Sequence, residues 1–458
     1  MDRLTEAEIS MVLDTYMYLN YTVSDETNLK DAIEYIDKRT NMNEVHPNEM
    51  SILRQAVTNP DIGELVIVNQ SRNMGYDEGT NAITFRRLDE NTVYVAYRGT
   101  YDGEWLDNGK GLTEEETIQQ KRATDYFDST VQSKLITKQD RVIITGHSKG
   151  GNKAQFVTME SEYGDYIDVC YSVDGQGHSN NAISNWKSRY GAEEYNLRTN
   201  KIYGINGEND FVSVLGTCII PLSHIAYVRT GADCSDFVAY HDITRMFATY
   251  TADDMGNSVI TYNGRKNPYV FARGELGDLV AGLSDDIMKL PDNRLDGNAA
   301  TLMQVAEIAM GGRKTGINGE RMHGEDAADF ATTGLGQILR RVFFTQEGAT
   351  FLAKFSQSEQ LSKNFGIEDS VMVNYIKLKE HAEKFENISA YLETMIADME
   401  LAGLRLPFIL EGSVVKKASI QGQIAKMYLS KEKLSRHGKL LSMIAQLYKS
   451  YDESLEIT

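Results

Sequence analysis

The sequence predicts an α/β domain with a largely parallel sheet, followed by an all-α helical hairpin. Two observations carry the first half: short apolar, β-branched runs recur from the amino terminus to about residue 250, and helical stretches lie between several of them. The third observation concerns the other end, where apolar residues return every three or four places from about residue 371 onward.

The β-type runs, in order, are "GELVIVNQ", "NAITFRR", "TVYVAYRGT", "RVIITG", "IDVCYSVDG", "NKIYGING" and "SHIAYVRTG". A helix is expected after "LTEEETIQQ", where Thr113 and Glu116 have capping-box spacing. Residues 1–250 therefore form the α/β domain. Residues 251–370 change texture to glycine-rich connections such as "AMGGRKTGINGERMHGED" with shorter helical pieces, and read as a connecting or lid segment. In 371–458 an apolar stripe runs through Leu378, Phe385, Leu392, Ile396 and Met399. After a break at "LAGLRLPFILEG" it resumes through Ile420, Ile424, Met427, Leu434, Leu441 and Ile444. Pro407 and Gly412 in that break mark the turn of a hairpin.

Composition narrows the function. The 458 residues are 41% hydrophobic, enough for a sizeable core, and carry a formal net charge of -19. That charge opposes nucleic-acid binding by phosphate neutralisation and gives no field toward an anionic membrane. Cys170, Cys218 and Cys234 form no CxxC pair and no disulfide framework. The acidic start, "MDRLTEAEISMVLDTYMYLNYTV", lacks the basic and apolar regions of a cleavable signal peptide, and no window reaches membrane-spanning length. There is no H-E-x-x-H, P-loop or Rossmann fingerprint, so neither metal nor cofactor is expected.

Chemistry concentrates in "VIITGHSKGG". Gly146-His147-Ser148-Lys149-Gly150 fits G-x-S-x-G, with an apolar strand before it and a helix-compatible stretch after it. Such a turn exposes the serine, and the N–H of Lys149 at a helix start can face a developing oxyanion. A nucleophilic serine needs a base, and the base an orienting acid. In chain order Ser, acid, His, the acid is Asp210, in the polar loop after "KIYGING"; Asp174, in "YSVDGQG", is the reserve. His224 and His241 are the downstream bases. His241 is favoured because it follows a loop, whereas His224 sits at the edge of an apolar run. His147 is expected to pack structurally beside the serine.

The set "VYVAYRGT", "YDGEWLDNGKG" and "VIITGHSKGG" resembles class 3 lipases and related bacterial lipase-like α/β-hydrolases over roughly residues 60–250. Arg98, Gly99, Thr100 and Trp105 match the family's first element, and Asp210 in "DFVSVLG" is similar to its acid. The resemblance implies acyl-ester hydrolysis by Ser148, Asp210 and His241, with Thr100 and Lys149 as the oxyanion hole and no metal; it also makes His224 a non-catalytic position. Lys149 and Gly151 depart from fungal and plant relatives and point to the bacterial branch. Leu410-Glu411-Gly412 and the Tyr448…Asp452 spacing resemble LXG/WXG hairpins and the Y-x-x-x-D/E signal of type VII secretion. That implies a lipase or phospholipase A exported without a cleavable signal as an antibacterial toxin, with small helical export partners and an immunity protein. An intracellular (cytoplasmic) esterase for small soluble esters and a non-catalytic scaffold on a degenerate hydrolase fold are the alternatives.

Overall fold

The computed structural model describes residues 3–309, apart from 75–80, 89, 233 and 253–257, together with Asp329. The chain divides into two units, Met1–Lys354 and Phe355–Thr458, and every described residue belongs to the first. The hairpin expected over 371–458, with Leu410, Gly412, Tyr448 and Asp452, lies outside the described residues.

Five helices precede the first strand: α1 (Glu6–Met17), α2 (Leu29–Arg39), α3 (Met42–Val45), α4 (Pro47–Ala56) and α5 (Pro60–Gly63). Thr5 and Glu8 close a capping box on α1. The strands then follow as β1 (Val66–Gln70), β2 (Ala82–Arg87) and β3 (Thr92–Tyr97). Helices α6 (Trp105–Lys110) and α7 (Ile118–Gln132) lead to β4 (Arg141–His147), α8 (Lys149–Glu160), β5 (Val169–Val173), α9 (Asn180–Thr199), β6 (Ile202–Gly207) and β7 (Ile225–Val228). Each of the seven β-type runs in the sequence supplies one of these strands. Beyond them come β8 (Ala248–Ala252), β9 (Ser258–Tyr262), β10 (Tyr269–Val270), α10 (Glu275–Met288) and α11 (Asp292–Ala309).

The main sheet runs β1-β2-β3-β4-β5-β6-β7-β10. β3 to β7 pair in parallel, β1, β2 and β3 antiparallel, and β10 closes the far edge antiparallel to β7. This is the α/β architecture with a largely parallel sheet that the sequence predicts. β8 and β9 form a separate ribbon, held to α4 by Gln55, which donates to Ile260 O and accepts from Tyr262 N, each at 3.0 Å.

Alternation along the strands sorts the core into two layers. Val93, Val95, Val142 and Ile144 face Phe127 of α7, Phe156 and Val157 of α8, and Trp186 of α9. Tyr94, Ala96 and Ile143 face the opposite way, onto Ile9, Leu13 and Tyr16 of α1, with α2 and α4 behind. α1 is buried almost all round, so it behaves as a core helix rather than a surface one. Its Asp14 is fully buried and accepts from the Thr145 hydroxyl at 2.8 Å; burial pushes its carboxyl well above the usual range, against the opposing effect of that hydrogen bond.

One helix start differs from expectation. The capping box belongs to Thr117 and Gln120, not Thr113 and Glu116: Thr117 N donates to Gln120 Oε1 at 2.8 Å, and Gln120 N to Thr117 Oγ1 at 3.3 Å. Both pairs have the same spacing. Thr113 instead donates to Lys110 O in the turn that ends α6, and Thr117 also donates to buried Asp107 at 2.9 Å, a tertiary contact that spacing cannot reveal.

Phe85 of β2 is fully buried and meets Tyr16 of α1 edge-to-face, with ring centroids 5.9 Å apart. Phe85→Ala is expected to destabilise the fold by about 3–5 kcal/mol, read as a lower urea midpoint at unchanged slope.

Candidate active site

The site is built at the carboxyl ends of β3 to β6. β4 ends at His147, α8 begins at Lys149, and Ser148 between them is held at φ 59°, ψ -126°. A non-glycine residue there is strained, and the surroundings fix it: Ser148 N donates to Val173 O at 2.9 Å, while Ser148 O accepts from Asn152 N at 3.2 Å. The glycines around it answer to sterics. A Cβ on Gly146 would stand 2.2 Å from the Gly150 carbonyl carbon, and one on Gly150 would stand 2.1 Å from Tyr97 O. The first turn of α8 is thus pressed against the ends of β3 and β4, which only glycine permits.

Asp210 follows β6 and is fully buried. Its Oδ2 accepts from Val212 N at 3.1 Å and from Ser213 N at 2.5 Å, and its Oδ1 lies 2.6 Å from His241 Nδ1. His241 ends the 3₁₀ segment Cys234–His241. Its ring meets Phe211, at 5.4 Å between centroids, and His147, at 4.6 Å, and its side chain is 14% exposed. Since Ser148 adjoins His147 in the chain, the structure gathers Ser148, His241 and Asp210 at one end of the sheet.

Asp174 is also near, but differently engaged. Its Oδ1 accepts from Gly207 N at 2.7 Å; its Oδ2 stands 3.7 Å from His147 Nε2. Burial, reinforced by the neighbouring Asp210 charge, drives its carboxyl well above the usual range. His224 sits at the opposite end of the strands. Its Nδ1 lies 3.2 Å from Ile202 O at the start of β6, and its ring stacks flat on Tyr203 at 4.3 Å. His147 is buried, its Nδ1 2.6 Å from the Tyr18 hydroxyl, and burial together with nearby His241 pulls its pKa well below the ordinary histidine value.

Thr100 lies in the loop after β3, where its hydroxyl accepts from Asn108 Nδ2 at 2.9 Å. Lys149 contributes its backbone at the start of α8, while its buried side chain turns to α6 and reaches Asp107 Oδ2 at 3.1 Å and Asp107 O at 3.2 Å. Gln176 Nε2 donates to Asn108 O at 2.9 Å. α6 is thereby tied to both oxyanion-hole candidates. Its other side meets α11 near Ala299, and Trp105 packs with Leu112, Ala299 and Met303. The sequence reading missed Tyr18, Asp107 and Asn108. "LDN" after Trp105 carries no chemical motif, and Tyr18 is 129 positions from the ring it meets.

A family model, Mbeg1-like, matches residues 62–206. Among curated proteins, none matches. Among solved structures the chain is similar to a fungal lipase in a lipase–inhibitor complex, at 14% identity over 57% of this chain and 85% of that one, with a TM-score of 0.29. It is also similar to a triacylglycerol lipase from Penicillium expansum, at 12% identity over 48% and 78%, TM-score 0.28. A third is the Rhizomucor miehei triacylglyceride lipase, at 15% identity over 37% and 68%, TM-score 0.26. Likenesses this distant say nothing of substrate; the architecture rests on the strand order and register given above.

Two outcomes are expected. Gly150→Ala forces its Cβ against Tyr97 O and should lower stability by about 1–3 kcal/mol in chemical denaturation. The second concerns buried His178, whose pKa burial, helped by the Lys149 charge, lowers from 6.5 to about 3. Below pH 6.5 the unfolded chain takes up a proton that folded His178 refuses, so its contribution is present above that pH and is lost as pH falls toward about 3. Over this window His178→Gln should lose less folding free energy than the parent chain in urea titrations.

Proposed function

We propose that the protein is a serine-dependent acyl-ester hydrolase. The observation that carries this reading is the 2.6 Å contact between Asp210 and His241 beside the strained Ser148 turn. A nucleophile on a strand-to-helix elbow, a base reached from a later loop and a buried acid on that base are the parts acyl transfer needs.

In this mechanism Ser148 Oγ attacks the ester carbonyl while His241 Nε2 takes its proton. Asp210 accepts from Nδ1–H, holding the tautomer that leaves Nε2 free and stabilising the imidazolium. The tetrahedral oxyanion accepts from the N–H groups of Thr100 and Lys149, the latter at the positive end of α8; one such donor is worth about 2.7–4 kcal/mol in the transition state. His241 returns the proton to the departing alcohol. Water then attacks the acyl-serine by the same proton route, releasing the acid.

We further read the substrate as a lipid ester and the chain as a lipase or phospholipase A exported as a toxin, with 371–458 as its targeting hairpin. The Leu410-Glu411-Gly412 and Tyr448…Asp452 patterns support that extension.

Purified chain should release fatty acid from defined phospholipid vesicles, with products identified by mass spectrometry, and Ser148→Ala should abolish release while folding normally. Asp210→Asn should lower kcat by about 10⁴-fold. Full activity in Ser148→Ala would sink the hydrolase reading. Hydrolysis of short-chain esters alone would keep it and remove the lipid substrate.

A further inference from the structure

We propose that His147, Asp174 and His241 form a binding site for a divalent transition-metal ion, zinc fitting best, and that an ion held there removes His241 from proton transfer. The blocking half rests on the hydrolase reading; the binding half does not.

Each of the three side chains offers one ligand atom, and these atoms all lie within 4.8 Å of one another. His147 Nε2 and Asp174 Oδ2 are 3.7 Å apart, and Asp174 Oδ2 has no hydrogen-bond partner among the described residues. Both residues are buried, at 3% and 0% exposure. A buried carboxylate oxygen facing an imidazole nitrogen at this separation suits a shared cation. A tetrahedral ion with metal–ligand distances near 2.1 Å separates neighbouring ligand atoms by about 3.4 Å, so the set needs little closure.

The outer contacts are those a metal site needs. Tyr18 OH lies 2.6 Å from His147 Nδ1, Gly207 N donates to Asp174 Oδ1 at 2.7 Å, and Asp210 lies 2.6 Å from His241 Nδ1. His147 and Asp174 are thus fixed through their other polar atoms, and so is His241 when it binds through Nε2, which orients the ligands and sets the imidazole tautomers. Two imidazoles and one carboxylate suit zinc and its neighbours, not calcium or magnesium, which prefer oxygen. His241, 14% exposed, offers the route in. Whichever of its ring nitrogens took the ion, catalysis would stop: Nε2 is the base itself, and Nδ1 is the atom Asp210 needs.

The test is zinc titration by calorimetry into untagged, chelator-treated full-length chain, alongside Asp174→Asn and His147→Gln. One zinc per chain is expected at micromolar affinity or tighter, weakened about 100-fold or more by either substitution. Cobalt should give the visible absorption of a tetrahedral site, displaced by one equivalent of zinc; this reading stands even if a substituted chain fails to fold. Ester hydrolysis should fall with stoichiometric zinc and return with chelator. Absence of binding, an octahedral cobalt spectrum, or binding untouched by either substitution in folded protein overturns the site. Zinc bound at these residues in a chain without esterase activity keeps the site and removes the hydrolase reading.

Discussion

The close approach of α8 to the ends of β3 and β4 is the constraint on which the rest depends. Gly146 and Gly150 meet the neighbouring backbone at distances no side chain tolerates, and Ser148 is bent into positive φ as a result. That one contact sets the direction of α8, points its first N–H groups back toward the serine, and fixes where β3 must release the chain into the Thr100 loop. Gly151 extends it to the next strand, since a Cβ there would stand 2.8 Å from Gly175 Cα. The register of β3, β4 and β5 brings the same contact into line: Tyr97 pairs with Gly146, and His147 with Val173.

Behind the elbow, where α8 presses against the strand ends, the buried space is filled with long polar side chains. Lys149 and Lys153 are both almost wholly buried, and Arg98 is buried against Glu104 at 2.6 Å. Burial lowers the Lys153 pKa to about 7, with Glu104 opposing that fall. Ion pairs of this kind contribute little net stability, because desolvation offsets attraction. Their effect is directional. Lys149–Asp107, Asn108–Thr100 and Gln176–Asn108 convert α6 from a surface turn into a strut that holds the Thr100 loop at a fixed distance from α8.

Much of the sheet was legible because its strands are β-branched runs bounded by glycine and polar turns, and buried strands need that composition on both faces. The serine, acid and base candidates were legible because a nucleophile elbow imposes glycine spacing and chain order. What was not legible came from tertiary contact. The amino-terminal stretch carries no motif, yet as α1 it covers the face of β3 and β4, and Tyr18 at its end meets His147. The cap of α7 lies four residues beyond the first plausible pair because Asp107 selects Thr117. Neither Asp107 nor Asn108 carries a signal of its own, since each acts on a group far away in sequence.

Two carboxylates stand at neighbouring strand ends, and their surroundings separate their roles. Asp210 receives two backbone N–H groups on one oxygen and meets the imidazole of His241 with the other, so its contacts aim it at the base. Asp174 receives one N–H, from Gly207, and its second oxygen has no hydrogen-bond partner among the described residues. Desolvation dominates there, and the neighbouring Asp210 adds to it, so Asp174 resists ionisation. Keeping the Asp174 carboxyl neutral avoids burying two like charges together. It also leaves His241 a single acid to answer to, which is the condition for holding one tautomer.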